Sequence, residues 1–169
     1  MNGAIRIWTC AAHSPVYGCG GWAAVRVGPG LVAGVAGGER NTTASRTALS
    51  GLAAALRDQP PADGSTSSDP ISIQTTSPEL AGFGDFLASL GQPSQPVGPD
   101  EDLDLWAQIS TAAKGRRFRP VLTPLEVGTP SAFASAWADL ARDKAKATGA
   151  FATAIPKANL AKIPGLDRR

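Results

Sequence analysis

Residues Ile5 to Val27 (IRIWTCAAHSPVYGCGGWAAVRV) commit this chain to beginning as a sheet. Ile5, Ile7 and Thr9 alternate with Arg6, Trp8 and Cys10, so a strand here sends the first three to one face and the others to the opposite face. The stretch then crosses small residues, Pro15, Gly18, Gly20 and Gly21, and resumes as a second apolar run. Two strands joined by a Gly/Pro-rich turn have this pattern. Trp8 lies opposite Ile5 and Ile7, so the first strand is apolar on both faces. A sheet covered by helices on both sides needs such strands.

The rest of the chain extends that beginning. Gly28-Pro29-Gly30 is a turn, and Leu31 to Ala36 reads as a third strand weakened by glycine, which completes an antiparallel meander. Asn41-Thr42-Thr43 supplies N-cap candidates for a helix over 44–56, with Ala48, Leu49, Leu52, Ala55 and Leu56 on one side. The polar loop Asp58 to Asp69 leads to a short alternating strand, Ile71 to Thr76. Ser77-Pro78-Glu79 opens a helix running to about Leu90, with Pro78 in the favoured first turn. Gly91 to Pro99 is a connector. Asp100 to Ala113 is a third helix, acidic at the end where the helix dipole favours acids. Arg117 to Leu122 reads as a last strand whose proline marks an edge. Pro130 to Thr148 is a final helix with Phe133, Trp137, Leu140 and Ala141 at helical spacing. The order βββαβααβα predicts an α/β fold: a mixed five-stranded sheet, three antiparallel strands and then βα units, flanked by helices. Residues 1–148 form the domain, and 149–169, split by Pro156 and Pro164, form a basic C-terminal tail.

Composition narrows the function classes. No apolar run approaches the roughly 18 residues that span a bilayer, and the N-terminus lacks the pattern of a secretory signal. The expectation is a cytoplasmic protein without a membrane partner. Two cysteines, Cys10 and Cys19, suit a reducing compartment. The net charge of +2 conceals a split. From Asp58 to Asp104 there are nine acidic residues and no lysine or arginine, whereas Lys114 to Arg169 carries eleven basic residues against four acidic. Such a split suits one face to a polyanion while another stays acidic; the alternative is two solvated surfaces that attract each other weakly. Lys114, Arg116, Arg117 and Arg119, with Phe118 among them, make the densest basic patch, and such patches supply phosphate contacts to nucleic acid. Cys10, His13 and Cys19 read C-x2-H-x5-C, a partial zinc spacing that lacks the fourth ligand a structural site needs. Trp8, Trp22, Trp106 and Trp137 fit packing roles better than stacking platforms.

Six pieces, in order, resemble the type 1 ribonuclease H family over about Ile5 to Ala147. Ile7-Trp8-Thr9 is similar to the strand before that family's T-D-G-S signature, and Gly18 to Val25 to its glycine-rich second strand. Asn41 to Leu49 resembles the T-N-N-x-M/A-E-L entry into its first helix, and Thr75-Thr76-Ser77 its T-D-S. Asp104-Leu105-Trp106 matches its D-L-W, and Trp137 to Ala141 is similar to its A-D-x-L-A. The resemblance implies a two-metal hydrolase of RNA–DNA hybrids, with four carboxylates holding magnesium. The aligned positions here are Cys10, Ala48, Thr76 and Ala138. None is a carboxylate, and Thr123 to Ser131 holds no histidine where the family has one. Asp139 lies one residue past the aligned position, about 100° round the helix; Glu39 and Glu126 lie in flanking loops.

These residues together predict a ribonuclease H-like domain with no catalytic residues, no metal and no cofactor, magnesium entering only if relocated acids sustain hydrolysis. Its function is then that of a noncatalytic nucleic-acid-binding or adaptor module. The expected contacts are Lys114, Arg116, Arg117 and Arg119, with Thr43 implied by the resemblance. A divergent active nuclease, and a protein–protein scaffold docking through the acidic 58–104 segment, are the alternatives.

Overall fold

The alternation at the start of the chain becomes β1 (Arg6–Ser14), paired antiparallel with β2 (Cys19–Gly28), which pairs in turn with β3 (Leu31–Glu39). In this computed structural model, residues 5–28, 30–57, 71–90, 98–112 and 118–166 are described, Arg119 and Pro120 by their backbone alone. After α1 (Ala44–Arg57), β4 (Ile71–Thr75) runs parallel to β1, and β5 (Phe118–Leu122) runs parallel to β4. Between β4 and β5 lie α2 (Pro78–Gly82), α3 (Gly84–Ser89) and α4 (Leu103–Ala112). The last elements are α5 (Pro130–Thr148), β6 (Phe151–Ala154) and α6 (Lys157–Leu160). Strand order across the sheet is β5-β4-β1-β2-β3-β6.

The α/β class and the mixed sheet are as expected, but the strand count is six, not five. The added strand, β6, pairs antiparallel with β3 from Val35↔Ala154 to Gly38↔Phe151. Four residues of sequence FATA carry no strand signal of their own. They pair because the outer edge of β3 presents backbone groups that need partners. Beyond β6, Ile155, Leu160 and Ile163 are buried with Val25 and Ala36. Residues 151–166, within the span expected as a tail, therefore complete one face of the sheet.

Each face has its own core. On one side Ile7, Ala24, Ile71 and Ile73 pack with Leu49, Leu52 and Leu56 of α1, Leu80, Leu87, and Trp106 and Ile109 of α4. On the other, Cys10, Ala23, Val25 and Ala36 pack with Ala134 and Ala138 of α5. Burying these side chains contributes about 1.5–3 kcal/mol for each large aliphatic one. The helix expected from Pro78 to Leu90 is interrupted at Phe83, between Gly82 and Gly84. Ser77 accepts a hydrogen bond from Leu80 N at the start of α2, and the Phe83 ring turns inward to meet Trp106 edge-on at 5.1 Å. Aromatic contact there outweighs helix continuity.

α5 differs most from its sequence pattern. Leu140 is 63% exposed, and Phe133 and Trp137 are half-buried. The buried stripe is instead Ser131, Ala134, Ala138, Ala141 and Ala145. Small residues face the sheet because the sheet is small there too. Gly21 and Gly38 are opposite one another in register, and a Cβ on Gly21 would stand 2.7 Å from Arg142 Cα. A Cβ on Gly38 would stand 2.8 Å from that of Ala145. Helix backbone and sheet backbone meet almost directly.

Candidate functional site

β1 and β4 end side by side. The last parallel rung is Thr9↔Thr75, so the next residues, Cys10 and Thr76, are brought together as the resemblance requires. Thr76 Oγ1 donates to Cys10 Sγ at 3.3 Å. Cys10 Sγ donates in turn to the carbonyl oxygen of Ser131 at 3.3 Å, in the first turn of α5. That turn is fixed by Thr129, whose side chain accepts from Ala132 N, and by Pro130 in the first helical position. Cys10 is only 2% exposed. Burial pushes its thiol pKa up and Asp139 adds to the rise, against the hydrogen bonds from Thr76. The thiol is therefore held protonated at neutral pH. In that form it is a poor nucleophile and a poor metal ligand.

The two remaining aligned positions offer no donor atom and lie in different cores. Ala48, on the buried face of α1, belongs to one core, and Ala138, on the buried face of α5, belongs to the other. The acids that could substitute do not converge. Glu39 accepts from Ser50 Oγ at 3.1 Å and lies 3.6 Å from Arg46. Asp139 is exposed and faces Arg142 at 3.5 Å, and Glu126 is exposed in the loop ahead of α5. Among the described residues no three of His, Cys, Asp and Glu gather where they could hold one metal ion. A protonated thiol, a hydroxyl and two methyl groups do not fit magnesium, which takes hard oxygen ligands.

The C-x2-H-x5-C spacing does not close into a site either. Both cysteines are free and buried, and by strand alternation they share the α5 face. His13 falls on the α1 face, where its Nε2 meets the Thr42 carbonyl oxygen at 2.9 Å. It fastens the end of β1 to the approach to α1.

Of the expected nucleic-acid contacts, Lys114, Arg116 and Arg117 lie outside the described residues. Arg119 stands opposite Ser72 in β5. Thr43 is exposed at the head of α1, where its Oγ1 accepts from Arg46 N at 3.1 Å and its carbonyl oxygen accepts from Thr47. It is a helix cap.

Sequence reading missed the ion cluster three residues further on. Arg46 donates to both carboxylate oxygens of Asp104, at 3.0 and 2.8 Å, and to Asp102 at 3.1 Å. The cluster clamps α4 to α1, so two acids of the 58–104 segment are used internally. The D-L-W match was the available signal, since it puts an acid at the head of the helix that packs on α1. The Arg46 guanidinium holds the Asp104 carboxyl down at about 2. Its stabilising share is present above the ordinary carboxylate pKa, near 4, and is lost as pH falls through about 2. Arg46→Leu is expected to return the Asp104 titration to the ordinary range, read by carboxyl carbon NMR. It should also flatten the acid limb of the stability curve; an unchanged Asp104 midpoint would contradict the clamp.

This mixed sheet with helices on both faces has the fold of solved ribonuclease H structures. The N-terminal RNase H domain of Rv2228c from Mycobacterium tuberculosis aligns with a TM-score of 0.57 at 18% identity, covering 86% of this chain and 96% of that one. The fold is ribonuclease H-like. LC11-RNase H1 in complex with an RNA/DNA hybrid gives 0.59 at 19% identity, covering 83% of this chain and 98% of that one. LC9-RNase H1, a type 1 RNase H with the type 2 active-site motif, gives 0.57 at 17% identity, covering 90% and 79%. Identities this low show a shared ribonuclease H-like fold and nothing finer. No protein-family model matches the sequence, and no curated protein sequence does.

Proposed function

We propose that this ribonuclease H-like chain is a noncatalytic nucleic-acid-binding or adaptor module. The observation that carries the reading is the Thr76–Cys10–Ser131 hydrogen-bond chain. It fills the place where the fold would present its first and third metal-binding carboxylates, and it leaves no anionic oxygen there. Two-metal hydrolysis needs charge balance from several carboxylates placed within about 0.5 Å of a productive geometry. Glu39, Glu126 and Asp139 are apart and two of them are engaged with arginines. Binding is supported by the basic residues from Lys114 onward and by the RNA/DNA hybrid seated on a protein of the same fold.

Incubation with an RNA–DNA hybrid and magnesium or manganese should give no turnover above buffer. Turnover abolished by Glu39→Gln or Asp139→Asn would overturn the noncatalytic reading. In a salt titration the same hybrid should bind, with affinity falling steeply as salt rises. Arg116→Gln with Arg117→Gln and Arg119→Gln should weaken it. Absence of binding at low salt would leave the scaffold role, with a protein partner.

A further inference from the structure

One end of the sheet carries a cationic surface built from residues remote in sequence from Lys114 to Arg119. Ser14↔Cys19, Gly20↔Glu39 and Gly38↔Phe151 are rungs at this end. The β1–β2 turn with Tyr17, the exit of β3 at Arg40 and the start of β6 at Phe151 are therefore neighbours, and the C-terminal end of α5 lies over them. Lys146 Nζ sits 3.4 Å from the centroid of the Tyr17 ring, and Lys144 Nζ sits 4.4 Å from that of Phe151. Tyr17 is 62% exposed, and both lysines are exposed.

Lysines near a helix C-terminus ordinarily complement its carbonyl end. Here that task is already done. Arg40 donates to the carbonyl oxygens of Ala145 and Lys146 at 3.1 and 2.7 Å, and Gly149 N donates to Ala145 O at 2.9 Å. Among the described residues no carboxylate pairs with Lys144, Lys146 or Arg40; the local acids Asp139 and Asp143 face Arg142, and Glu39 faces Arg46. Three cations are thus fixed by aromatic faces and helix carbonyls, with their charge left for an external partner.

We propose that Arg40, Lys144 and Lys146 form a binding surface for the phosphodiester backbone of a nucleic-acid duplex. This rests on the nucleic-acid-binding reading above and locates part of it. Each ring holds an ammonium group against one face, and phosphate contacts made by such cations position a duplex without reading its sequence. Thr42 N donates to the Gly18 carbonyl oxygen at 2.9 Å, so the head of α1 with Thr43 lies next to the β1–β2 turn.

The test is hybrid binding by fluorescence anisotropy across a salt series. Lys144→Gln with Lys146→Gln should weaken binding roughly tenfold at about 50 mM salt and lower the slope of log K against log salt by about two. Lys144→Arg with Lys146→Arg should retain both values, as should Lys157→Gln in α6 with Lys162→Gln just after it. Exposed substitutions leave the fold intact, which circular dichroism checks. If the wild-type protein binds and the Lys144/Lys146 glutamine pair leaves affinity and slope unchanged, the surface proposal fails while the binding reading stands. If the wild-type protein does not bind the hybrid at low salt, both fail.

Discussion

Gly21→Ala should cost about 3 kcal/mol or more, at the upper end of overpacking penalties. The added methyl would meet backbone, not a side chain that can swing away: Ala138 O and Arg142 N lie within van der Waals contact of its place, and Arg142 Cα is 2.7 Å from it. Relief requires α5 to lift from the sheet, which would open the interfaces of Ala134, Ala138, Ala141 and Ala145 together. It would also pull Ser131 away from Cys10. Urea denaturation gives the measurement, with Gly82→Ala as control, since a Cβ there meets nothing within 4 Å. That control should fall within about 1 kcal/mol of wild type. A tolerated Gly21→Ala would mean that α5 does not seat on the sheet as described.

Cys10→Asp, which places a carboxylate at the position that the ribonuclease H resemblance aligns with one, should be the second most damaging change. The site is 2% exposed, its polar neighbours are the single Thr76 hydroxyl and the Ser131 carbonyl oxygen, and Asp139 supplies a like charge. Burying an ionised carboxylate without a cation costs several kcal/mol, so the folded state would hold this Asp protonated, with a pKa above the unfolded value of about 3.9. As pH rises past that value the unfolded chain releases its proton first. The penalty is therefore absent below about pH 4 and grows with pH until the folded carboxyl itself ionises. The expected loss at neutral pH is about 3 kcal/mol, against about 1–2 for Cys10→Ala. Denaturation midpoints compared across the pH range, with and without excess magnesium, check it. A Cys10→Asp protein as stable as wild type at neutral pH would contradict the buried, uncompensated surroundings described for Cys10, and rescue by magnesium would show that neighbouring groups complete a cation site around a carboxylate placed there.

Much of the architecture was legible because it rests on local patterns. The β1–β2–β3 meander, α1 with its Thr43 cap and the Pro130 start of α5 all follow from alternation, capping and turn chemistry within a few residues. Cys10 beside Thr76 was also legible, since the resemblance aligned both with one site. The hydrogen bond from Cys10 to Ser131 was not, because nothing within 121 residues of sequence separation signals which carbonyl will be near.

What the sequence determined alone was the two-faced apolar sheet and the identity of the residues at its chemical positions. Composition at Cys10, Ala48, Thr76 and Ala138 needs no coordinates. Tertiary structure decided three things that local preference could not. It chose the alanine stripe of α5 over Phe133, Trp137 and Leu140, because two facing glycines allow a close approach that only small residues can use. It made a strand of residues 151–154, because an open sheet edge needs hydrogen-bond partners and a four-residue segment is helped to pair by that need alone. And it turned the thiol of Cys10 into a buried donor, held neutral by its loss of contact with water.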